Sequence, residues 1–220
     1  MVGVENFFSF RNIDFTTRSF SPRKNCEPFD VISGNPVIGG HRRHAGEAPE
    51  FFEPPLSITL KQWDTAFDSQ AKAFLVGVRE AVPFMRDGGR VLAITYAEGS
   101  RTGGLQPWVG MGSAKAALES LVRYFAVTLA KRGITVNAIS PGWTEDSVLN
   151  TLPEQAQSLI RSWHTRGWTP MGRLGTPEDV GNVAELLCSE KAKWITGQVI
   201  YADGGASLMN PEVPPEIQIG

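Results

Sequence analysis

The spacing of apolar residues predicts helices over much of the chain beyond residue 57. Apolar positions recur at helical intervals over residues 60–85 and again over residues 111–132, so each stretch predicts a long helix. A further helix is predicted to begin after Thr176. This residue is a typical N-cap, because Pro177 follows it directly and Asp179 stands three residues later.

Four short apolar segments predict the strands. They cover residues 29–34, 90–95, 134–139 and 199–202. These segments are apolar throughout rather than alternating, which is typical of parallel strands with helices on both faces. Because strands and helices alternate along the chain, the sequence predicts an α/β fold in three layers, with a parallel sheet between two layers of helices.

Residues 1–56 lack this regular pattern. Their six prolines would interrupt any long helix, and the only apolar run among them is the segment that predicts the first strand. We therefore predict an irregular N-terminal segment over residues 1–28, one domain over residues 29–208, and a C-terminal tail over residues 209–220.

The composition is that of an ordinary globular domain. The 220 residues include 21 Lys and Arg against 23 Asp and Glu, so a net charge of −2 argues against nucleic acid or an acidic membrane as a partner. The two cysteines and three histidines are too scattered to predict a disulfide framework or a metal site. We see no membrane-spanning run and no signal sequence, so we expect a cytoplasmic protein.

Five segments, in the same order along the chain, resemble the short-chain dehydrogenase/reductase family. They cover residues 29–35, 111–118, 132–142, 172–180 and 195–205. The resemblance implies a Rossmann-like parallel sheet with flanking helices, NAD(P)H as cofactor, and oxidoreductase activity.

Two features resemble the enoyl-acyl-carrier-protein reductase branch of that family. One is the pair Thr95-Tyr96 at a strand end, and the other is the run Met111-Gly-Ser-Ala-Lys115 at the start of a helix. This resemblance implies reduction of an enoyl or keto substrate, such as an acyl thioester, and a place in fatty acid biosynthesis.

The position of the catalytic tyrosine is where the chain departs from this branch. Trp108 stands seven residues before Lys115, and Met111 occupies the commoner tyrosine position, four residues before it. An indole N–H donates a hydrogen bond but does not exchange a proton near neutral pH. Trp108 is therefore expected to cover the nicotinamide, to shape an acyl pocket, or to pack in the core. The family's asparagine on the preceding helix maps to Gln70, which has a longer reach for holding a water molecule.

Tyr96 carries the nearest hydroxyl with a suitable pKa, and we predict that it takes the catalytic role. It lies at a strand end, and ligands bind outside the carboxyl ends of the strands in open α/β sheets. The resemblance implies that Lys115 faces the cofactor ribose, and its ammonium would lower the pKa of a neighbouring phenol. Packing at the strand end is the alternative role for Tyr96, and Ser100 and Thr95 are alternative hydroxyls.

The resemblance also implies a set of cofactor-binding residues. The set contains Gly34, Asn35, Thr95, Lys115, Pro141, Gly142, Trp143 and Thr144. Gly142 belongs to a turn that approaches the nicotinamide in the family, where a glycine admits close backbone contact. The alternative interpretation is that the turn at Gly142 only ends the strand and has no role in cofactor binding.

The glycine-rich turn that binds the pyrophosphate in the family has no counterpart before residue 29. The 28 preceding residues are too few for the three strand–helix units that the family places there. We therefore expect an incomplete dinucleotide site, weak or absent cofactor binding, and an unpaired edge on the strand of residues 29–34 unless another segment covers it. The chain is then either a truncated reductase or a shortened relative with a different role.

Two other functions are compatible with the sequence. A non-catalytic or cofactor-free member would act as an oligomerisation partner through the helices of residues 60–85 and 111–132, where the family commonly forms its dimer interface. The same helices predict a homo-oligomer for an active enzyme. A cofactor-free enzyme is the third hypothesis, in which the basic loop at Arg42 and Arg43 binds an anion; otherwise we expect this loop to be solvated.

Overall fold

The computed structural model describes residues 9–10, 13–14, 31–34, 53–96, 103–145 and 149–218. The strands are β1 (Ser9–Phe10), β2 (Ile13–Asp14), β3 (Val31–Gly34), β4 (Arg90–Ile94), β5 (Thr135–Pro141) and β6 (Val199–Ala202). The helices are α1 (Leu60–Phe67), α2 (Ala73–Ala81), α3 (Val109–Leu129), α4 (Glu154–Trp163), α5 (Pro177–Cys188) and α6 (Pro215–Gln218). Within the described ranges, no helix is both long and apolar enough to cross a membrane.

Strands β3 to β6 form a four-stranded parallel sheet in chain order, and β1 and β2 form a separate antiparallel pair. The register places Ile94 beside Ile139 and Pro141 beside Ala202. Because all four strands of the larger sheet run in one direction, their carboxyl ends lie along a single edge. The sheet confirms the four predicted strands and the predicted parallel α/β fold.

Helices cover both faces of the parallel sheet. On one face, α2 and α3 pack on alternate strand residues, with Val91 and Val136 fully buried in the same cluster as Leu118. On the other face, α5 packs through Leu187 on a cluster that includes Leu92. These three layers are the ones predicted from the alternation of strands and helices.

The long helix predicted over residues 60–85 is present but is not uniform. Thr59 forms a capping box with Gln62, since each side chain accepts a hydrogen bond from the backbone N–H of the other residue. Helix α1 passes through a π turn at Asp68–Lys72 into α2, and a 3₁₀ turn at Val82–Phe84 follows α2. The π turn was not predicted, and turns of this kind are frequent at functional sites.

The helix predicted over residues 111–132 is confirmed as α3, with a short 3₁₀ turn at each end. Gly133 follows with a φ of 66°, a left-handed conformation that glycine adopts at little cost. The Arg132 guanidinium donates to the Asp87 carboxylate at 2.8 Å and to the carbonyl oxygen of Val82 at 2.9 Å. These bonds tie the end of α3 to the turn that follows α2.

Helix α4 is an element that the sequence analysis does not predict. Pro153 is its N-cap, and the helix runs into a second π turn at His164–Trp168. Proline is tolerated here because the first backbone N–H groups of a helix have no partner within the helix. The apolar positions 156, 159, 160 and 163 have helical spacing, which is the signal that could have revealed the helix.

The capping box predicted at Thr176 is confirmed. The Thr176 side chain accepts from the N–H of Asp179 at 3.2 Å, and the Asp179 carboxylate accepts from the N–H of Thr176 at 2.8 Å. Arg173 donates to the same carboxylate at 2.7 Å and 2.9 Å. The Arg173 hydrogen bonds, followed by those from Thr176, hold the pKa of Asp179 well below its usual range.

The tail predicted from residue 209 contains α6, which lies beside the π turn at His164–Trp168. A cavity of about 400 Å³ opens between them, and its lining includes Trp163, Trp168 and Pro215. The two indole rings meet edge to face with their centroids 5.4 Å apart. None of the predicted catalytic or cofactor-binding residues that the structure describes lines this cavity.

Candidate active site

The carboxyl ends of β3, β4 and β5 lie along one edge of the sheet, and several predicted site residues stand there. Gly34 ends β3, Thr95 and Tyr96 follow β4, and Pro141 ends β5. The backbone N–H of Thr95 donates to the carbonyl oxygen of Ile139 at 2.8 Å, so the bonding between β4 and β5 continues up to this edge. Four residues named from the sequence, Asn35, Arg42, Arg43 and Ser100, lie outside the described residues.

Lys115 of α3 is buried at this edge, with 4% of its surface exposed. Its Nζ donates a hydrogen bond to the carbonyl oxygen of Ile94 at 2.7 Å, which fixes the side chain against the end of β4. Burial lowers the pKa of Lys115 from the ordinary 10.5 to about 7, while the charge of Glu119 acts in the opposite direction. Because this pKa lies near neutral pH, a small further shift changes the fraction of the amine that is protonated at pH 7.

Thr95 connects the end of β4 to the same helix. The residue is 1% exposed, and its hydroxyl donates to the carboxylate of Glu119 at 2.7 Å. Glu119 is not among the residues predicted from the sequence. Its place four residues after Lys115 puts both side chains on one face of α3, and this spacing is the signal that points to it.

Tyr96 lies between two indole rings. Its ring centroid is 6.0 Å from that of Trp108 and 6.3 Å from that of Trp143, and both pairs meet edge to face. Trp108 is buried in a cluster with Met111 and Ala66, and its indole N–H donates to the carbonyl oxygen of Tyr96 at 3.3 Å. Of the three roles considered for Trp108, these contacts favour packing in the core.

Gln70 lies in the π turn between α1 and α2, and this turn packs against α3. Its side chain is 2% exposed, and its amide nitrogen lies 3.5 Å from the hydroxyl of Ser69. In the described part of the chain, no group donates a hydrogen bond to the side-chain oxygen of Gln70. A buried acceptor without a partner is costly, so this oxygen is suited to accept from a water molecule or a ligand.

Contacts to Gly175 and Asp203 hold the turn after β5. The carbonyl oxygen of Trp143 accepts from the N–H of Gly175 at 2.9 Å, and Thr144 is buried and forms a β-bridge with Gly175. A Cβ at Gly142 would lie 2.9 Å from the α-carbon of Asp203. Glycine is therefore required at this position by the chain's own backbone, independently of any ligand.

The comparison with known families agrees with this arrangement. The family model described as enoyl-(acyl carrier protein) reductase matches residues 39–207, which is most of the chain. The chain belongs to the short-chain dehydrogenase/reductase family. The match confirms the family and the enoyl reductase-like branch that the sequence motifs predict.

Relatives within the short-chain dehydrogenase/reductase family come from fungi and bacteria. Dehydrogenase OXI1 of Cochliobolus heterostrophus is 31% identical over 153 residues, which are 69% of this chain and 65% of that protein. The NADH enoyl-acyl-carrier-protein reductase FabI of Escherichia coli is 32% identical over 152 residues, which are 69% of this chain and 56% of FabI. The chain thus spans less than two-thirds of the length of these curated relatives.

Solved structures of short-chain dehydrogenases/reductases share the fold. The angucycline C-6 ketoreductase LanV with bound NADP aligns with a TM-score of 0.65 and 30% identity, covering 82% of this chain and 63% of LanV. A family member of unknown function from Caenorhabditis elegans, solved with cofactor, aligns with a TM-score of 0.70 and 26% identity, covering 83% of this chain and 67% of that one. These alignments confirm the Rossmann-like fold predicted from the sequence.

Proposed function

We propose that the chain carries the nicotinamide side of an NAD(P)H-dependent reductase site and reduces a keto or enoyl substrate. The observation that carries this proposal is the buried amine of Lys115, which is bonded to Ile94 at the carboxyl end of β4. Ile94 stands two residues before the half-buried Tyr96. Family membership supports it, as does the NADP bound to the related ketoreductase LanV.

The residues at this edge fit a nicotinamide nucleotide. The Lys115 amine is a suitable donor to ribose hydroxyls, and Gly34 ends β3 at the same edge without a side chain to obstruct a ligand. We assign the remaining contacts to Pro141, Trp143 and Thr144 in the turn after β5, with Asn35, Thr95 and Gly142 as further members of the set. When bound, NAD(P)H supplies the hydride.

Tyr96 is the proposed donor to the substrate oxygen. Its ring is oriented by the edge-to-face contacts with Trp108 and Trp143, and a nearby ammonium favours proton transfer from a phenol. Lys115 supplies that charge and orients the ribose. The buried oxygen of Gln70 holds a water molecule beside α3, and Trp108 forms the packed wall behind Tyr96.

Two related substrate classes are compatible with the relatives. FabI is described as an enoyl-acyl-carrier-protein reductase and LanV as an angucycline ketoreductase. We propose an enoyl or keto compound of acyl thioester type, because the motifs around Tyr96 and Lys115 resemble the enoyl reductase branch. A cytoplasmic role in fatty acid biosynthesis accompanies this choice of substrate.

We further propose a homo-oligomer that forms through α1, α2 and α3. These helices expose apolar side chains away from the sheet, with Leu60 81% exposed, Leu75 39% and Val127 80%. Light scattering of the purified chain is expected to give an oligomer, and a monomer would contradict this part of the proposal.

A non-catalytic oligomerisation partner is the alternative function, and family membership supports the reductase over it. The alternative is favoured by Trp108, which stands where this branch has its tyrosine and whose N–H is bonded to the Tyr96 carbonyl oxygen. Under this alternative the chain oligomerises but shows no NAD(P)H-dependent reduction of thioesters or ketones.

A pair of tyrosine variants tests the proposed catalytic role. Tyr96→Phe removes the proposed donor and is expected to lower kcat by about 10²-fold or more, as loss of a general acid does. Tyr124→Phe is the matched control, because Tyr124 is 72% exposed on α3, and its turnover should equal that of the original chain. Unchanged turnover in both Tyr96→Phe and Lys115→Ala would refute the assignment.

A further inference from the structure

Two consecutive residues at the end of β4 each form a hydrogen bond with a charged side chain of α3. The carbonyl oxygen of Ile94 accepts from the Nζ of Lys115 at 2.7 Å, and the hydroxyl of the next residue, Thr95, donates to Glu119 at 2.7 Å. Lys115 and Glu119 are four residues apart, so they lie on the same face of the helix. The strand end therefore holds a buried cation and a partly exposed anion that stand one helical turn apart.

The charge of Glu119 acts on Lys115 and raises the pKa that burial lowers. The adjoining π turn carries Asp68 and Lys72, which are exposed and pair with each other at 2.9 Å. The end of β4 contributes one more titratable group, the phenol of Tyr96. A carboxylate at the edge of a buried site acts more strongly on a cation than one in open solvent, because the local dielectric constant is lower.

We propose that Glu119 is a positioning residue that keeps Lys115 protonated near neutral pH, and that Thr95 holds the Glu119 carboxylate in place for this task. The inference rests on the proposed function only for the use of Lys115 as a cation in catalysis. A purely structural role would make the bond between Thr95 and Glu119 a tie between β4 and α3, without effect on the charge of Lys115.

Competitive labelling of the lysines measures that charge directly. The folded chain is treated with trace acetic anhydride over a range of pH without any cofactor, and the acetylation of each lysine is read by mass spectrometry. The midpoint for Lys115 is expected near 7 in the original chain. In Glu119→Gln the midpoint should fall by about one pH unit or more, because an opposite charge nearby favours the protonated amine.

Matched variants separate this effect from a general loss of charge or of structure. Glu185→Gln removes an exposed carboxylate from α5, on the opposite face of the sheet, and should leave the Lys115 midpoint unchanged. Thr95→Val removes the hydroxyl that holds Glu119 and should lower the midpoint in the same direction. Thr95→Ser keeps a hydroxyl and should restore the original midpoint.

An unchanged Lys115 midpoint in folded Glu119→Gln and Thr95→Val overturns the proposal. If Glu119→Gln does not fold, as judged by circular dichroism, Thr95→Val and Thr95→Ser decide the question, because they leave the carboxylate in place. The labelling needs no cofactor and no substrate. Failure here is therefore distinct from failure of the proposed reductase, which is tested by turnover and by nucleotide binding.

Discussion

Burial of the Lys115 amine predicts that the stability of the fold depends on pH in a defined window. Its pKa falls from 10.5 to about 7 on folding. At about 1.4 kcal/mol for each pKa unit, keeping this ammonium charged in the folded chain costs about 5 kcal/mol relative to water. Lys115→Met removes the charge and keeps an unbranched side chain of similar size.

The direction of the pH dependence follows from the proton balance. Below pH 7 the amine is protonated in both the folded and the unfolded chain, so the full cost is present. Between about 7 and 10.5 the unfolded chain keeps a proton that the folded chain has lost. The free energy of unfolding therefore rises with pH across this window, by up to about 1.4 kcal/mol per pH unit from this one group.

Urea unfolding at several pH values in this window tests the prediction. Relative to the original chain, Lys115→Met is expected to lose this rise and to be more stable at neutral pH. The gain should stay below about 5 kcal/mol, because the variant also loses the hydrogen bond to Ile94. Lys131→Met, at an exposed position after α3, removes the same charge and should keep the rise. Equal slopes in the original chain and in Lys115→Met would refute the reasoning.

Two further predictions concern stability. Gly142→Ala forces a methyl group to within 2.9 Å of the α-carbon of Asp203, so it should destabilise the fold by about 1–3 kcal/mol. In contrast, the methyl group of Gly181→Ala in α5 meets nothing within 4 Å, and this variant should stabilise the fold by about 0.5–1 kcal/mol. The urea midpoints of the two variants should therefore shift in opposite directions, and shifts in the same direction would contradict this reasoning. The Arg173 hydrogen bonds hold the pKa of Asp179 low in the folded chain. The Asp179 carboxylate should therefore stabilise the fold at pH values above its ordinary pKa, and this stabilisation should be lost as the pH falls through its pKa in the folded chain. The stability difference between the original chain and Asp179→Asn should therefore shrink only on acidification, and a pH-independent difference would contradict this.

Local signals made most of the fold predictable. Continuous apolar runs fixed the strands, and the capping box at Thr176 located the start of α5, because both depend on residues close in sequence. Helix α4 was missed because the four apolar residues with helical spacing stand among polar residues, which weakens the pattern. The π turn at Asp68–Lys72 is not visible in the pattern of apolar residues, because the apolar residues on either side of it recur at ordinary helical intervals.

The positions of the candidate site residues were predictable from the sequence, but their contacts were not. The motifs placed Lys115 and Tyr96 correctly at the carboxyl edge of the sheet, since parallel strands bring their ends together. The bond from Thr95 to Glu119 joins residues 24 positions apart, and the bond from Trp108 to Tyr96 spans 12. Contacts of this kind depend on how a helix packs on a strand end, which spacing alone does not specify.

The central claim is that Lys115 belongs to a nicotinamide nucleotide site, and a thermal titration with NADH and with NADPH tests it most directly. Binding at 100 times the dissociation constant stabilises a fold by about 2.7 kcal/mol. Because the glycine-rich turn has no counterpart before residue 29, we expect weak binding, and the titration extends to high nucleotide concentrations. We predict a saturable rise in Tm with at least one of the two nucleotides, retained in Lys131→Met and reduced or lost in Lys115→Met. A folded chain whose Tm responds to neither nucleotide, or responds equally in both variants, would contradict the account.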